Sequence, residues 1–134
     1  QVLSPSDFGF HNILIDKEKR LHFIDFEYFG WDNPVKLLID FVIHPGFTLS
    51  SRGQEIWIET SLNSYAKGFD EELNTTWPLY GLLWVLIILN SFKNRTPSQK
   101  IDEKQSQLNK AKSLLETINK NIACDLKGVT FNAR

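Results

Sequence analysis

The sequence predicts an α+β chain, mainly helical, in which a β-hairpin near the N-terminus leads into a helical lobe. Three observations predict it. Two apolar runs, 13–15 and 21–24, flank the polar stretch Asp16-Lys17-Glu18-Lys19-Arg20, the pattern of a hairpin. From Pro34 onward, apolar residues recur at helical spacing between helix start and stop signals. The length of 134 residues, at 42% hydrophobic and 23% charged, suits one domain with one core.

The hairpin carries the chemistry. Asp7 lies in a loop containing Pro5, Ser6 and Gly9; Asn12 lies where that loop enters the first strand; Asp25 closes the second strand. Folding the second strand back brings Asn12 and Asp25 to the same end of the ribbon, with Asp7 in the loop just before it. One carboxylate then faces a carboxamide and a second carboxylate across a short gap. Phosphoryl transfer asks for such a set: a base for a hydroxyl proton, and oxygen ligands that hold magnesium against the phosphates. Magnesium takes few protein ligands, so one Asp and one Asn suffice.

The remaining elements follow in order. Phe26, Tyr28, Phe29 and Trp31 extend the apolar pattern toward a turn, and Asp32-Asn33-Pro34 reads as a cap and first helical turn. A first helix is expected over 35–43, with Leu37, Leu38, Phe41 and Val42 on its apolar side, ended by His44-Pro45-Gly46. A second is expected from about Leu49 to Gly68, with Ile56, Leu62, Tyr65, Ala66 and Phe69 at helical spacing. A third begins near Asp70-Glu71-Glu72, acids that suit a helix N-terminus, and Pro78 is expected to interrupt or restart it. Residues 79–89 are apolar nearly all round. The run is shorter than the roughly 20 residues of a membrane span, so it predicts a helix buried on most sides and no span. Residues 94–98 read as a linker, 99–122 as a polar helix with Leu108, Ala111, Leu114, Leu115, Ile118 and Ile122 on one face, and 125–134 as a weakly patterned tail, disordered at its end.

The spacing Asp-x4-Asn, then an Asp after a hairpin, matches the second half of the protein-kinase signature set. Residues 3–34, and more loosely the helical remainder, resemble the C-terminal lobe of the aminoglycoside phosphotransferase and choline kinase family, small-molecule kinases with a protein-kinase-like fold. The family's catalytic loop reads His-Gly-Asp-x-x-x-x-Asn-Ile-Leu and its metal segment Ile-Asp-Phe/Trp-Glu. This chain has Pro5-Ser6-Asp7, then Asn12-Ile13-Leu14, and later Ile24-Asp25-Phe26-Glu27-Tyr28; Gly30-Trp31-Asp32-Asn33-Pro34 is similar to the family's Gly-x-Gly-Asp-Pro turn. Two positions depart from the pattern. Pro5 stands where the family usually has His, and Leu37 where it often has Asp, with Asp40 one helical turn further on.

The resemblance implies Asp7 as catalytic base, Asn12 and Asp25 as ligands of Mg2+, and ATP as co-substrate. Glu27 is either an acid near a second metal or the substrate, or a surface residue on an edge strand. Each assignment has a plain structural counterpart: a turn-capping Asp7, a left-handed Asn12, an Asp25 satisfied by backbone amides. Their joint order and spacing favour the functional reading. Asp32 and Asp40 read as a helix cap and a helix-face acid, with a substrate-amine role open to either. His11 reads as polar packing beside Asn12. His22 and His44, without carboxylate or Cys partners at metal spacing, read as structural.

The resulting organisation is a catalytic loop and metal hairpin over 1–34, a helical subdomain over 35–123 and a tail over 124–134. No glycine-rich loop with Gly-x-Gly occurs, so the chain is expected to be a C-terminal piece whose N-terminal lobe would clamp the nucleotide. A formal net charge of −1 points to neither nucleic acid nor an anionic membrane. Cys124 is the sole cysteine, which excludes an internal disulfide and a Cys cluster for zinc; a reducing cytoplasm fits. The expected activity is transfer of the ATP γ-phosphoryl group to a hydroxyl of a small molecule, an amino sugar, choline-like alcohol or related acceptor. The alternative is a catalytically inactive, pseudokinase-like scaffold that binds a nucleotide or a partner.

Overall fold

The computed structural model describes residues 1–65, 68–93 and 101–129. The described chain is α+β and mainly helical, with two small antiparallel ribbons at its N-terminal end. Strand β1 (Val2–Ser4) pairs with β4 (Gly30–Asp32), and between them β2 (Ile13–Ile15) pairs with β3 (Leu21–Phe23). The inner hairpin is the expected one. Its turn is a tight bend in which Lys19 N–H donates to the Asp16 carbonyl at 3.0 Å, followed by Lys19 itself at φ 62°. Asp16 closes the turn: Oδ1 accepts from Arg20 N–H at 2.9 Å, and Oδ2 meets Arg20 Nε at 2.7 Å and His22 Nε2 at 2.8 Å. The His22 hydrogen bond, then the Arg20 backbone hydrogen bond, hold the Asp16 carboxyl below its usual value. The outer ribbon was not legible, because Val2-Leu3-Ser4 is too short to show a period.

The helices form where their caps begin. Asn33 Oδ1 accepts from Val35 N–H at 2.7 Å, and Pro34 fills the first position of α1 (Pro34–Val42), whose Val35, Leu38, Ile39 and Val42 face the core. Ser50 Oγ caps α2 (Ser51–Ser64) by accepting from Gly53 N–H at 3.1 Å. Gly68, at φ 89°, turns the chain into α3 (Phe69–Leu89). The fourth helix, α4 (Ile101–Asn121), buries Ala111 and Ile118. Helix α3 packs against α1 and α4, and α1 against α2. Its approach to α4 is close at Gly81, where a Cβ would fall 2.8 Å from Ile118 Cδ1.

Three expectations are corrected. The second helix ends at Ser64, short of Gly68. Helix α3 runs unbroken through Pro78. An interior proline removes one hydrogen bond and costs about 3 kcal/mol, but here Trp77 and Pro78 are both buried, which offsets that loss. The apolar run of α3 is also buried on one face only. Leu73, Trp77, Gly81, Val85 and Ile88 point inward, whereas Leu79, Leu83 and Leu86 are exposed. By length and composition, residues 69–92 are long and apolar enough to cross a membrane.

The start of the tail is docked. Leu126 and Val129 are fully buried, Leu126 N–H donates to Asn74 Oδ1 at 3.0 Å, and Gln54 Nε2 donates to the Val129 carbonyl. Trp77 Nε1 donates to the Cys124 carbonyl at 3.2 Å. The linker expected over 94–98 and the end of the tail lie outside the described residues.

Candidate functional site

The nested ribbons build the site. Ser4 pairs with Gly30, and Ile13 pairs with Phe23. The segment 5–12 therefore leaves one ladder and enters the other, and the segment 24–29 makes the same passage in reverse. Ile24 N–H donates to the Asn12 carbonyl at 3.0 Å, which adds one rung where the two loops meet. Asp7 and Asn12 on the first loop, and Asp25 and Glu27 on the second, are thereby confined between the same two ladders.

The first loop is tightly turned and well anchored. Asp7 N–H donates to the Pro5 carbonyl at 2.8 Å across Ser6, whose φ of 64° makes this the rarer, strained form of three-residue turn. Ser6 N–H is held by the buried Ser4 Oγ at 3.0 Å. Phe8 then enters an aromatic cluster, with ring centroids 5.1 Å from Phe41 and 5.7 Å from both Trp57 and Phe23. Phe10 packs on Phe41 and Phe47 at 5.4 and 4.7 Å. These rings fasten the loop to α1 and α2, so Asp7 projects from a fixed base. Aromatic pairs of this kind contribute about 0.5–1.5 kcal/mol each beyond the area they bury.

Asn12 is buried, and its Nδ2–H donates to the Asp7 main-chain carbonyl at 2.9 Å. The amide thus braces the loop with its nitrogen and leaves Oδ1 as the atom a cation would meet. Asp25 is exposed and sits at φ 63°, a left-handed conformation in which Asp is among the tolerated residues. Glu27, through hydrogen bonding and then its charge, pushes the exposed Tyr28 phenol above its ordinary value, with smaller contributions from desolvation and from the charges of Asp25 and Asp7. A cleft of about 180 Å³ opens at Asp7 and Asn12, lined by Pro5, Asp7, Phe8, Asn12, Phe23, Ile24 and Phe26; Asp25 and Glu27 do not line it.

The histidines differ from the sequence reading. His22 pairs with Asp16, and His44, although distant in sequence, comes to Asp7. Asp7 Oδ1 lies 3.3 Å from His11 Nε2 and 3.9 Å from His44 Nε2, and the two imidazoles stack with centroids 5.0 Å apart. Burial, then the nearby His11, hold the His44 imidazole below its usual pKa against the opposing pull of Asp7 and Asp40. No local spacing signal could have found this pairing, because it depends on how α1 docks beneath the loop.

Asp32 and Asp40 are engaged by other partners. Asp32 Oδ1 accepts from Asn33 N–H at 2.8 Å, while Lys36 Nζ bridges Asp32 Oδ2 at 3.2 Å and Asp40 Oδ2 at 2.7 Å. Trp84 Nε1 donates to the buried Asp40 at 2.7 Å. Both acids are thus partnered inside the helical layer. No family model, curated protein or solved structure matches this chain.

Proposed function

We propose that this chain supplies the catalytic lobe of an ATP-dependent small-molecule phosphotransferase of kinase-like fold. It would move the γ-phosphoryl group to a hydroxyl of an amino sugar, a choline-like alcohol or a related acceptor. One observation carries the reading: four oxygen-bearing residues, Asp7, Asn12, Asp25 and Glu27, lie in two loops between the same two ladders, the first of them fastened by aromatic packing. Left-handed φ angles at Ser6 and Asp25 add to it, since such strain collects at functional sites.

In this reading Asp7, half-exposed, accepts the proton of the acceptor hydroxyl. Phe8, Phe23 and Phe26 wall the cleft and would receive the hydrocarbon side of the acceptor. The carboxylate of Asp25 and the carboxamide oxygen of Asn12 are hard donors that suit Mg2+, and Glu27 stands by as an acid for a second ion or the substrate. When bound, the ion neutralises charge across the phosphates. The second reading, a non-catalytic nucleotide- or partner-binding scaffold, is favoured by Pro5 and by the use of the Asn12 amide as a loop brace.

Mn2+ serves as a paramagnetic stand-in for Mg2+. Titrated into the 134-residue chain, it should broaden the amide signals of Asn12 and Asp25 first. Asp25→Asn should remove that broadening and Asp7→Asn should leave it. Broadening centred instead on Asp16 and Glu18 would remove the metal assignment and favour the scaffold.

A further inference from the structure

The phosphotransferase reading gives Asp7 a role but does not say what aims it. Asp7 leaves a strained turn and is half-exposed, so its side chain needs a partner to hold one rotamer. The partner is a column of rings. Phe47 stacks on His44 with centroids 4.7 Å apart and planes 13° from parallel, and His44 stacks on His11 at 5.0 Å and 24°. His11 Nε2 then reaches Asp7 Oδ1 at 3.3 Å. Trp84 meets the edge of His44 at 5.2 Å, and its own Nε1 is fixed on Asp40.

Two glycines make room for this column. A Cβ on Gly9 would fall 2.6 Å from His11 Cε1 and 2.9 Å from Phe47 Cε1. A Cβ on Gly46 would fall 2.9 Å from His44 Cε1. The backbone approaches both imidazoles as only glycine allows.

Asp7, His11 and His44 also hold ligand atoms within 4.8 Å of one another, a donor set that would suit Zn2+. The His44 tautomer argues against a metal. Gly46 N–H donates to His44 Nδ1 at 3.0 Å, so Nδ1 carries the lone pair and the proton of the neutral ring lies on Nε2, the atom facing Asp7. Coordination through Nε2 would move that proton to Nδ1, where it would meet the Gly46 N–H head-on.

We propose that the stacked His44 and His11 are positioning residues for Asp7. His11 contacts Oδ1 directly, and His44 backs the His11 ring with its own Nε2 3.9 Å from the same oxygen. The two carboxylate oxygens are thereby divided: Oδ1 is held, and Oδ2 is left for the proton of the acceptor. The proposal rests on the assignment of Asp7 as base, but its geometry is tested without turnover.

The test is NMR on the 134-residue chain at pH 7.5. Long-range proton–nitrogen correlations should show His44 and His11 with the proton on Nε2. The Asp7 Hα–Hβ couplings should be those of a single rotamer. In His11→Ala and His44→Ala they should collapse to an averaged pair, while His22→Ala leaves them unchanged. His11 is exposed, so His11→Ala keeps the test alive if His44→Ala fails to fold. Gly46→Ala should shift the ring signals of both histidines. Nδ1–H tautomers, or Asp7 couplings indifferent to both alanine variants, would overturn the proposal. So would saturable one-to-one binding of added ZnCl2 with coincident shifts at Asp7, His11 and His44, which would make the cluster a metal site. Loss of Mn2+ binding at Asn12 and Asp25 with the Asp7 rotamer intact would instead count against the phosphotransferase reading alone.

Discussion

Asn12 donates its side-chain amide to the main-chain carbonyl of Asp7 at 2.9 Å, so the residue proposed to face the cation also sets the shape of the loop that carries the base. Asn12→Asp keeps an oxygen for the ion but removes the donor and turns a charge toward that carbonyl. The variant should lose about 1–3 kcal/mol of stability, the penalty for an unmatched buried polar group. Urea titration measures it; an unchanged midpoint would mean that the brace contributes nothing.

Asp25 illustrates a conflict between stability and function. At φ 63° its backbone is strained, and glycine relieves such strain at a gain of about 1 kcal/mol. Asp25→Gly should therefore melt higher while losing the Mn2+ broadening at Asn12. Lys19→Gly, at φ 62° in the hairpin turn, should stabilise by a similar amount and leave metal binding untouched. Equal effects of the two variants on metal binding would refute the assignment of Asp25.

Asp40 should prove structural. It joins Lys36 to Trp84 inside the helical layer, and Asp40→Ala leaves both without that partner. A loss of about 2 kcal/mol is expected, the range for hydrogen bonds to charged groups. Mn2+ binding at Asn12 and Asp25 should survive at temperatures where the variant is folded. Selective loss of metal binding at unchanged stability would move Asp40 into the site.

Stability should fall on mild acidification. Burial holds folded His44 below its usual pKa, whereas in the unfolded chain it takes up a proton near 6.5. Its neighbours His11, Asp7, Asp40 and Trp84 are the groups that face it. Below pH 6.5 the unfolded state binds the extra proton, so the contribution is fully present above that value and is lost as pH falls toward the lower folded pKa. Thermal melts between pH 8 and 5 should show the decline, and His44→Phe should flatten it. A second loss is expected in strong acid. The lowered carboxyl of Asp16 contributes above its ordinary value of 3.8, and that contribution goes as pH drops through its folded value. Backbone exchange in the hairpin at pH 3 against pH 6 follows it.

The features legible in the sequence are local. The inner hairpin declares itself through two apolar runs and a polar turn that are neighbours in the chain. Asn33 with Pro34, and Ser50, announce helices because a cap acts within a few residues of itself. The order Asp7, Asn12, Asp25 was likewise visible, since it lies in one continuous stretch. The passage of α3 through Pro78 was not, because a local propensity was overridden by burial of Trp77 and Pro78.

Near-neighbour interactions thus set the mainly helical α+β class, the hairpin, and the residue types from which a phosphate-handling site is proposed. Their arrangement comes from contacts between distant segments. Pairing of Ser4 with Gly30 closes the two loops on each other, docking of α1 carries His44 to Asp7, and Lys36 and Trp84 engage Asp40. The difference is one of range. Turns and caps are set by interactions between near neighbours, whereas ring stacking and strand pairing between distant segments gain free energy only once chain entropy has been overcome by the collapse of the whole core.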